Sequence, residues 1–298
     1  MSYECRVYRN TDPAAPITTL KRELGEVYAI LKTCLCTGYG DKPSLGWELI
    51  YDAFPTTGEY KIAVRPLHSH RLGNGGAVWE FREFVQSGVV YIEVNTYDGY
   101  SSDGTAGTKL HRSYYFLNRT AYTASGNNWR LIGDGGFFYL LLESCFDYYF
   151  QAVFVCFGEM SNIQGDLFSL TLASNTPPSS WGANYYDADD LIQSDGRMIY
   201  FPKNLPRMYR NQLNPPIHYI PCDRGRVWQR MPIYHTGRDS TSPADLVYLP
   251  GFSFSHDSPA IDSAGIVEEL DGRFIGAFAC YYLYWIDTVS WRQLPWEL

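Results

Sequence analysis

Lysine is scarce in this sequence: only 6 of its 24 basic residues are Lys, against 18 Arg. Those basic residues never cluster. With a formal net charge of −8, the chain has no patch through which counterion release would give affinity for DNA or RNA. Long apolar runs are missing as well. The strongest, "FFYLLLESCFDYYFQAVFVCF", is broken by Glu143 and Asp147, short of the roughly 18 consecutive apolar residues that suggest a membrane helix. No membrane span is expected. The first residues, "MSYECRVYRNTDPAAP", lack the basic start, apolar run and small-residue cleavage site of a secretory signal, so synthesis in a cytosol is expected. The cysteines, Cys5, Cys34, Cys36, Cys145, Cys156, Cys222 and Cys280, number 7. An odd set scattered through apolar segments argues against a disulfide framework and reads as buried free thiols.

Catalytic signatures are absent too. There is no G-x-S-x-G elbow, no H-E-x-x-H helix and no catalytic-cysteine motif. Ser255, His256 and Asp257 are sequence neighbours, which a strand or turn points in different directions; they read as a turn, not a triad. The carboxylate pairs Asp189-Asp190 and Glu268-Glu269 could serve glycoside hydrolysis only across a cleft, and adjacent pairs read as a solvated face. Cys34-x-Cys36 and His68-x-His70 form the nearest thing to a metal constellation. One intervening residue is tighter than the usual zinc-ligand spacing, and no further ligand is nominated. No metal or other cofactor, and no enzyme activity, is expected.

What is present is aromatic and β-forming. Aromatic residues make up 16%, with 25 Tyr and 8 Trp. Together with the bias to Arg, they suit either protein contact surfaces or an aromatic β core. "YECRVYRN" alternates as an opening strand, stopped by "TDPAAP". Leu20, Leu24, Val27, Tyr28, Leu31 and Leu35 fall on one side of a helix, with Thr19 as N-cap and Gly38 just beyond its C-terminus. Almost everything afterwards is short runs of Tyr, Phe, Val, Ile and Trp between Gly, Asn, Asp and Pro. The expected fold is mainly β: a β-sandwich or barrel-like body with one amphipathic N-terminal helix. In "NWRLIGDGGFFYLLL" the GDGG quartet predicts a hairpin turn.

Two stretches break the pattern. Residues 173–190, "ASNTPPSSWGANYYDADD", and 202–226, "PKNLPRMYRNQLNPPIHYIPCDRGR", carry 7 prolines and predict long irregular arms. Their Trp181, Tyr185, Tyr186, Arg207, Tyr209, Arg210 and Tyr219 are candidate contacts with neighbouring subunits. No linker forces a two-domain cut, so residues 1–298 read as one β-rich unit with a soft boundary near 175.

The stretch "CLCTGYGDKPSLGW", residues 34–47, invites three readings: metal site, phosphate loop or chain reversal. A phosphate loop leads into a helix N-terminus, whereas these glycines follow a helix C-terminus, the wrong end of the dipole. The structural reading is preferred: Cys34 and Leu35 finish the helix, a left-handed Gly38 and Gly40 reverse the chain, Pro43 stiffens the exit and Trp47 anchors the next strand.

This block, with "CRVYRNTDPAAP", "LGEVYAILKTCLCTGYGDKP", "GWELIYDAF", "NWRLIGDGGFFYLLLE", "FGEMSNIQGDLFSLTLAS" and "GRFIGAFACYYLYWIDTVSW", resembles a family of virion structural proteins of tailed bacteriophages. The most specific piece is GYGDKP followed by GW. The two Pro-rich segments depart from that pattern. The resemblance implies a non-enzymatic subunit located in the virion, whose partners are other virion proteins and copies of itself; by analogy of fold, a β-rich body with extended arms suits the tail, tail tip or baseplate. A capsid decoration or neck/connector protein is the alternative within that class. Exposed aromatics stacking on host glycan, as in a receptor-recognition module, are the rival from another class.

Overall fold

The alternating residues Arg6–Arg9 form the first strand, β1, and the chain then turns through Asp12 towards its one described helix. A computed structural model of the 298-residue chain describes residues 4–19, 23–53, 58–66, 77–86, 88–109, 114–117, 128–146, 149–161, 167–172, 190–193, 198–200, 219–221, 227–235, 246–255, 266–269, 273–279, 282–289 and 291. The helix, α1, spans Glu26–Lys32 and runs into a wider π turn at Thr33–Thr37.

The helix is shorter than its apolar spacing predicts, and Thr19 is not its cap. Gly25 precedes it at φ 96°, ψ −8°, a left-handed conformation that ends helical propagation and that residues with a Cβ rarely adopt. The Tyr60 ring lies about 2.9 Å from where a Cβ on Gly25 would stand. Glycine is therefore required twice over at this point. Thr19 contributes its backbone N–H, donated at 2.9 Å to the Glu26 carboxylate. The donors of the first turn are met from another element: Glu83 accepts the N–H of Tyr28 at 2.8 Å, and those of Gly25 and Val27.

Five antiparallel strands follow in sheet order: β2 (Glu48–Ala53), β3 (Glu59–Arg65), β4 (Val78–Gln86), β5 (Val89–Tyr97) and β6 (Tyr114–Leu117). The chain then returns to β1. Strands β7 (Trp129–Gly133), β8 (Phe137–Phe146), β9 (Tyr149–Ser161) and β10 (Leu167–Leu172) extend a second sheet from β1 in the order β1-β7-β8-β9-β10. It continues through β11 (Asp190–Gln193), β12 (Met198–Tyr200), β14 (Val227–His235) and β15 (Leu246–Ser255), with β13 (Tyr219–Pro221) paired to β14. Its last strands are β18 (Tyr282–Asp287), β17 (Phe274–Ala279) and the edge strand β16 (Ile266–Glu269). All its pairings are antiparallel.

Strand β8 explains how the layers stack. Its even-numbered Phe138, Leu140 and Leu142 join Leu131, Val155 and Phe157 in a core shared with Ile62, Val64, Trp79, Phe81, Ile92 and Val94 of the five-stranded sheet. The two sheets therefore pack face to face, with Phe81 edge-on to Phe157 at 5.0 Å between centroids. On the opposite face Phe137, Tyr139 and Leu141 are also fully buried. They are covered by the returning end of the same sheet: the Tyr139 hydroxyl donates to the Pro250 carbonyl at 2.9 Å, and Trp291 stands perpendicular to the Tyr139 ring. A strand covered on both faces reads as a continuous apolar run, which is what "FFYLLL" is. Its hydrophobicity reflects a central layer in the protein.

The segment expected as an irregular arm over 202–226 contains strand β13, whose Tyr219, Ile220 and Pro221 pair with Gln229, Trp228 and Val227. The irregular reading is corrected at these three residues alone, the rest of the segment lying outside the described residues; a proline at a strand end needs no ladder donor, so Pro221 does not bar pairing. The ladder also passes from β10 to β11, across the soft boundary proposed near residue 175, which itself lies outside the described residues.

Candidate functional site

The 34–47 stretch is a lock between the helix, the first strand and both sheets. Gly38 closes the π turn, its N–H donating to the Thr33 carbonyl at 2.7 Å. Its conformation is φ 77°, ψ 175°, so the left-handed helical geometry expected for it is corrected to the extended positive-φ region that essentially only glycine occupies. A Cβ there would stand 2.6 Å from the Lys42 carbonyl oxygen. Gly40, at φ 52°, shapes the tight turn in which Tyr39 and Lys42 exchange backbone hydrogen bonds of 3.1 and 2.9 Å.

Helix-end carbonyls without an intrahelical donor must find partners elsewhere. Here the chain supplies them from downstream: the N–H groups of Leu45 and Trp47 donate to the carbonyls of Cys34 and Leu35 at 2.8 and 2.9 Å. The turn then folds over the edge strand β1. Lys42 donates to the Val7 carbonyl at 2.8 Å, Tyr8 donates its hydroxyl to the Pro43 carbonyl at 2.7 Å, and Arg6 reaches the Ser44 carbonyl at 2.5 Å. An edge strand left bare is a template for unwanted pairing; this one is closed.

Asp12 ties the lock. One carboxylate oxygen accepts the Arg9 N–H at 2.7 Å, the Tyr39 hydroxyl at 2.7 Å and the Lys42 ammonium at 2.6 Å. Partial burial opposes its charge, but the Lys42, Tyr39 and Arg9 hydrogen bonds outweigh that and hold its pKa below the usual carboxylate value. Desolvation does the reverse to the nearby thiols. Burial drives the pKa of Cys34 far up, and that of Cys36 up to about 12. Burial thus disfavours the thiolate that nucleophilic attack or metal ligation requires, and among the described residues no group of three His, Cys, Asp or Glu could hold a metal ion.

Trp47, almost fully buried, delivers its ring between Trp79 and Phe138, both approached edge-on at 5.8 and 5.3 Å. Its indole N–H donates to the Asp134 carbonyl at 3.1 Å. Asp134 is the aspartate of the GDGG quartet, and the quartet is the expected hairpin between β7 and β8. Its carboxylate takes the N–H groups of Gly136 and Phe137 at 2.7 and 2.9 Å on one oxygen and the Trp291 indole N–H at 2.8 Å on the other. One buried aspartate thus joins a turn to two tryptophans from near opposite ends of the chain.

A second polar cluster lies on the outer face of the five-stranded sheet, beneath a hairpin at residues 98–109. Glu80 accepts the Asn95 side-chain N–H at 3.0 Å and the Tyr100 hydroxyl at 2.5 Å, with Lys61 3.6 Å away. Beside it Arg82 pairs with Glu59 and Glu93 at 2.5 and 3.1 Å. The rings of Tyr51 and Tyr97 flank Tyr100 at 5.8 and 5.7 Å.

Of the candidate subunit contacts, Tyr219 lies in β13, while Trp181, Tyr185, Tyr186, Arg207, Tyr209 and Arg210 lie outside the described residues, as do His68, His70, His256 and Asp257. Glu268 and Glu269 are in edge strand β16. Sequence reasoning did not single out Asp12, Lys42, Glu80, Glu83, Asn95 or Asp134; only the last had a local signal, its place in GDGG. No family model matches the chain, and a search of curated proteins finds no match either.

Proposed function

We propose that this protein is a non-enzymatic structural subunit of a tailed-phage particle, in the tail, tail tip or baseplate, acting through contacts with other virion proteins and with copies of itself. The observation that carries the reading is the meeting of the sequence blocks behind the resemblance. "CRVYRN", "GYGDKP", "GW" and "RLIGDGGFF" are far apart in the chain, yet Lys42 on Val7, Tyr8 on Pro43 and Trp47 on Asp134 bring them into one lock. A pattern whose pieces hold one another describes a body built to stay rigid, which suits a repeated part better than a moving one. Symmetric assemblies reuse such bodies, and Tyr, Trp and Arg are the residues their contacts favour.

The test is the mass of the purified chain by light scattering across a concentration series, with electron microscopy of the same sample. A discrete oligomer forming rings or short stacks is expected. A monomer at every concentration that also fails to sediment with phage particles of the source overturns the proposal.

A further inference from the structure

Asn95 is only 4% exposed, and its side-chain carbonyl oxygen is the one buried side-chain polar atom among the described residues that lacks a hydrogen-bond partner. A buried acceptor left without a donor costs roughly 1–3 kcal/mol, and a native structure that keeps one calls for a reason. The amide cannot turn over to cure the deficit, because its NH2 group is committed to Glu80 on β4. Its oxygen is therefore turned away from Glu80.

The surroundings say what kind of donor fits. The three carboxylates beside it already have partners: Glu59 and Glu93 on Arg82, and Glu80 on Lys61, Asn95 and Tyr100. An incoming ion would find its counter-charges engaged, whereas the unmet group is a neutral carbonyl that needs a neutral O–H or N–H. Tyr51, Tyr97 and Tyr100 form a contiguous aromatic wall beside it. The Tyr97 phenol is held neutral, pushed up to about 12 by burial and by the nearby charges of Glu80 and Glu93. Flat aromatic faces next to amide, carboxylate and phenol groups match a ring that has apolar C–H faces and hydroxyl edges.

We propose that this face is a binding site for a neutral saccharide, one hydroxyl of which donates to Asn95 Oδ1 while the sugar ring lies between Tyr51 and Tyr97, in the place that Tyr100 vacates. Tyr100 is the gate. Its hydroxyl occupies Glu80 in the unliganded protein, and its backbone is paired to Ala106 in the 98–109 hairpin. A second ligand hydroxyl replaces that of Tyr100 on Glu80 as the hairpin lifts, so hydrogen bonds are exchanged and not lost. The inference is independent of the assembly reading: a monomer can bind sugar, and an oligomer can fail to.

The experiment is saturation-transfer NMR and tyrosine fluorescence on the full chain, titrated with methyl glycosides of glucose, galactose, mannose and N-acetylglucosamine and with their short oligomers. Saturable binding of at least one is expected, tightened several-fold by Tyr100→Phe, which frees Glu80, and weakened tenfold or more by Asn95→Ala. If Asn95→Ala does not fold, Tyr51→Leu at a half-buried position takes its place, with the same loss expected. No saturable binding by either the wild type or Tyr100→Phe overturns the proposal, as does binding that survives both Asn95→Ala and Tyr51→Leu. A crystal soaked in saccharide that shows a lone water on Asn95 Oδ1 overturns it too.

Discussion

Asp134, in the turn between β7 and β8, and Asn95, on β5, are each nearly fully buried, yet their polar groups are treated oppositely. At Asp134 both carboxylate oxygens and the backbone carbonyl are used, by two backbone amides and two indoles. At Asn95 the NH2 group is used and the oxygen is not. A fully satisfied buried network fixes one arrangement, whereas a half-satisfied one loses stability without fixing anything. The first belongs to the architecture, and the second is the acceptor on which the proposed saccharide contact rests.

The comparison can be broken hardest at Trp47. Trp47→Ala removes the ring between Trp79 and Phe138 and the donor to Asp134, and a buried Trp→Ala change costs about 3–5 kcal/mol; chemical denaturation will show it as a lower midpoint. Glu83 tests another buried carboxylate that, like Asp134, collects backbone amides. Desolvation raises its pKa from the ordinary 4.5 to about 7, with the Tyr28, Gly25 and Val27 amides pulling the other way. The folded protein then holds a proton that the unfolded chain releases, so stability falls as pH rises from about 4.5 to 7 and is flat above, by up to roughly 3 kcal/mol. Glu83→Gln is expected to flatten that limb in denaturation curves taken at several pH values.

Gly38→Val attacks the turn that delivers Trp47. With φ at 77° and the Lys42 carbonyl 2.6 Å from the new Cβ, a loss of about 1–3 kcal/mol is expected; an unchanged melting temperature would contradict it. Asp134→Asn keeps the shape and removes the charge that three N–H groups share. It should cost roughly 1–3 kcal/mol in the same assay, and nuclear magnetic resonance should show the Trp291 indole proton losing its hydrogen bond. The smallest effect is expected at the other pole. Asn95→Ala ends one hydrogen bond but also removes an orphaned acceptor, and should shift stability by about 1 kcal/mol or less. A larger loss would mean that Asn95 belongs with Asp134.

The sequence carried the β class clearly, because runs such as "EYKIAVR" and "VVYIEVNTY" alternate and lie between turn residues. It carried the hairpin at GDGG for the same reason. It missed β11, β13, β14, β15 and β16: "VWQRMPIYH" and "LVYLPGFSFS" each hold a proline or glycine that reads as a break, yet the pairing of β14 with β15 absorbs it as a register shift between Arg230 and Pro232. The helix was read too long because Leu20 and Leu24 extend its periodicity, and no local signal shows that Gly25 takes a left-handed conformation beside a ring from β3. The two polar clusters were invisible for a deeper reason. Asp134 meets Trp291 across 157 residues, and Glu80 meets Asn95 only once strand register is known, which residue spacing alone does not supply.

Strand β1 pairs with β7, Arg9 facing Arg130, after an intervening helix and a whole second sheet. On a ribosome adding about 5–20 residues per second, the first strand waits roughly 6–25 s for its partner. Non-local pairings of this kind close slowly, and in that interval the β-forming segment Arg6–Arg9 lacks its partner strand. The GYGDKP turn is complete long before β7 exists, and its grip on Val7, Tyr8 and Arg6 can shield one side of the strand during the delay. The lock that closes an edge in the finished protein is thus also placed to act as a built-in chaperone during its synthesis.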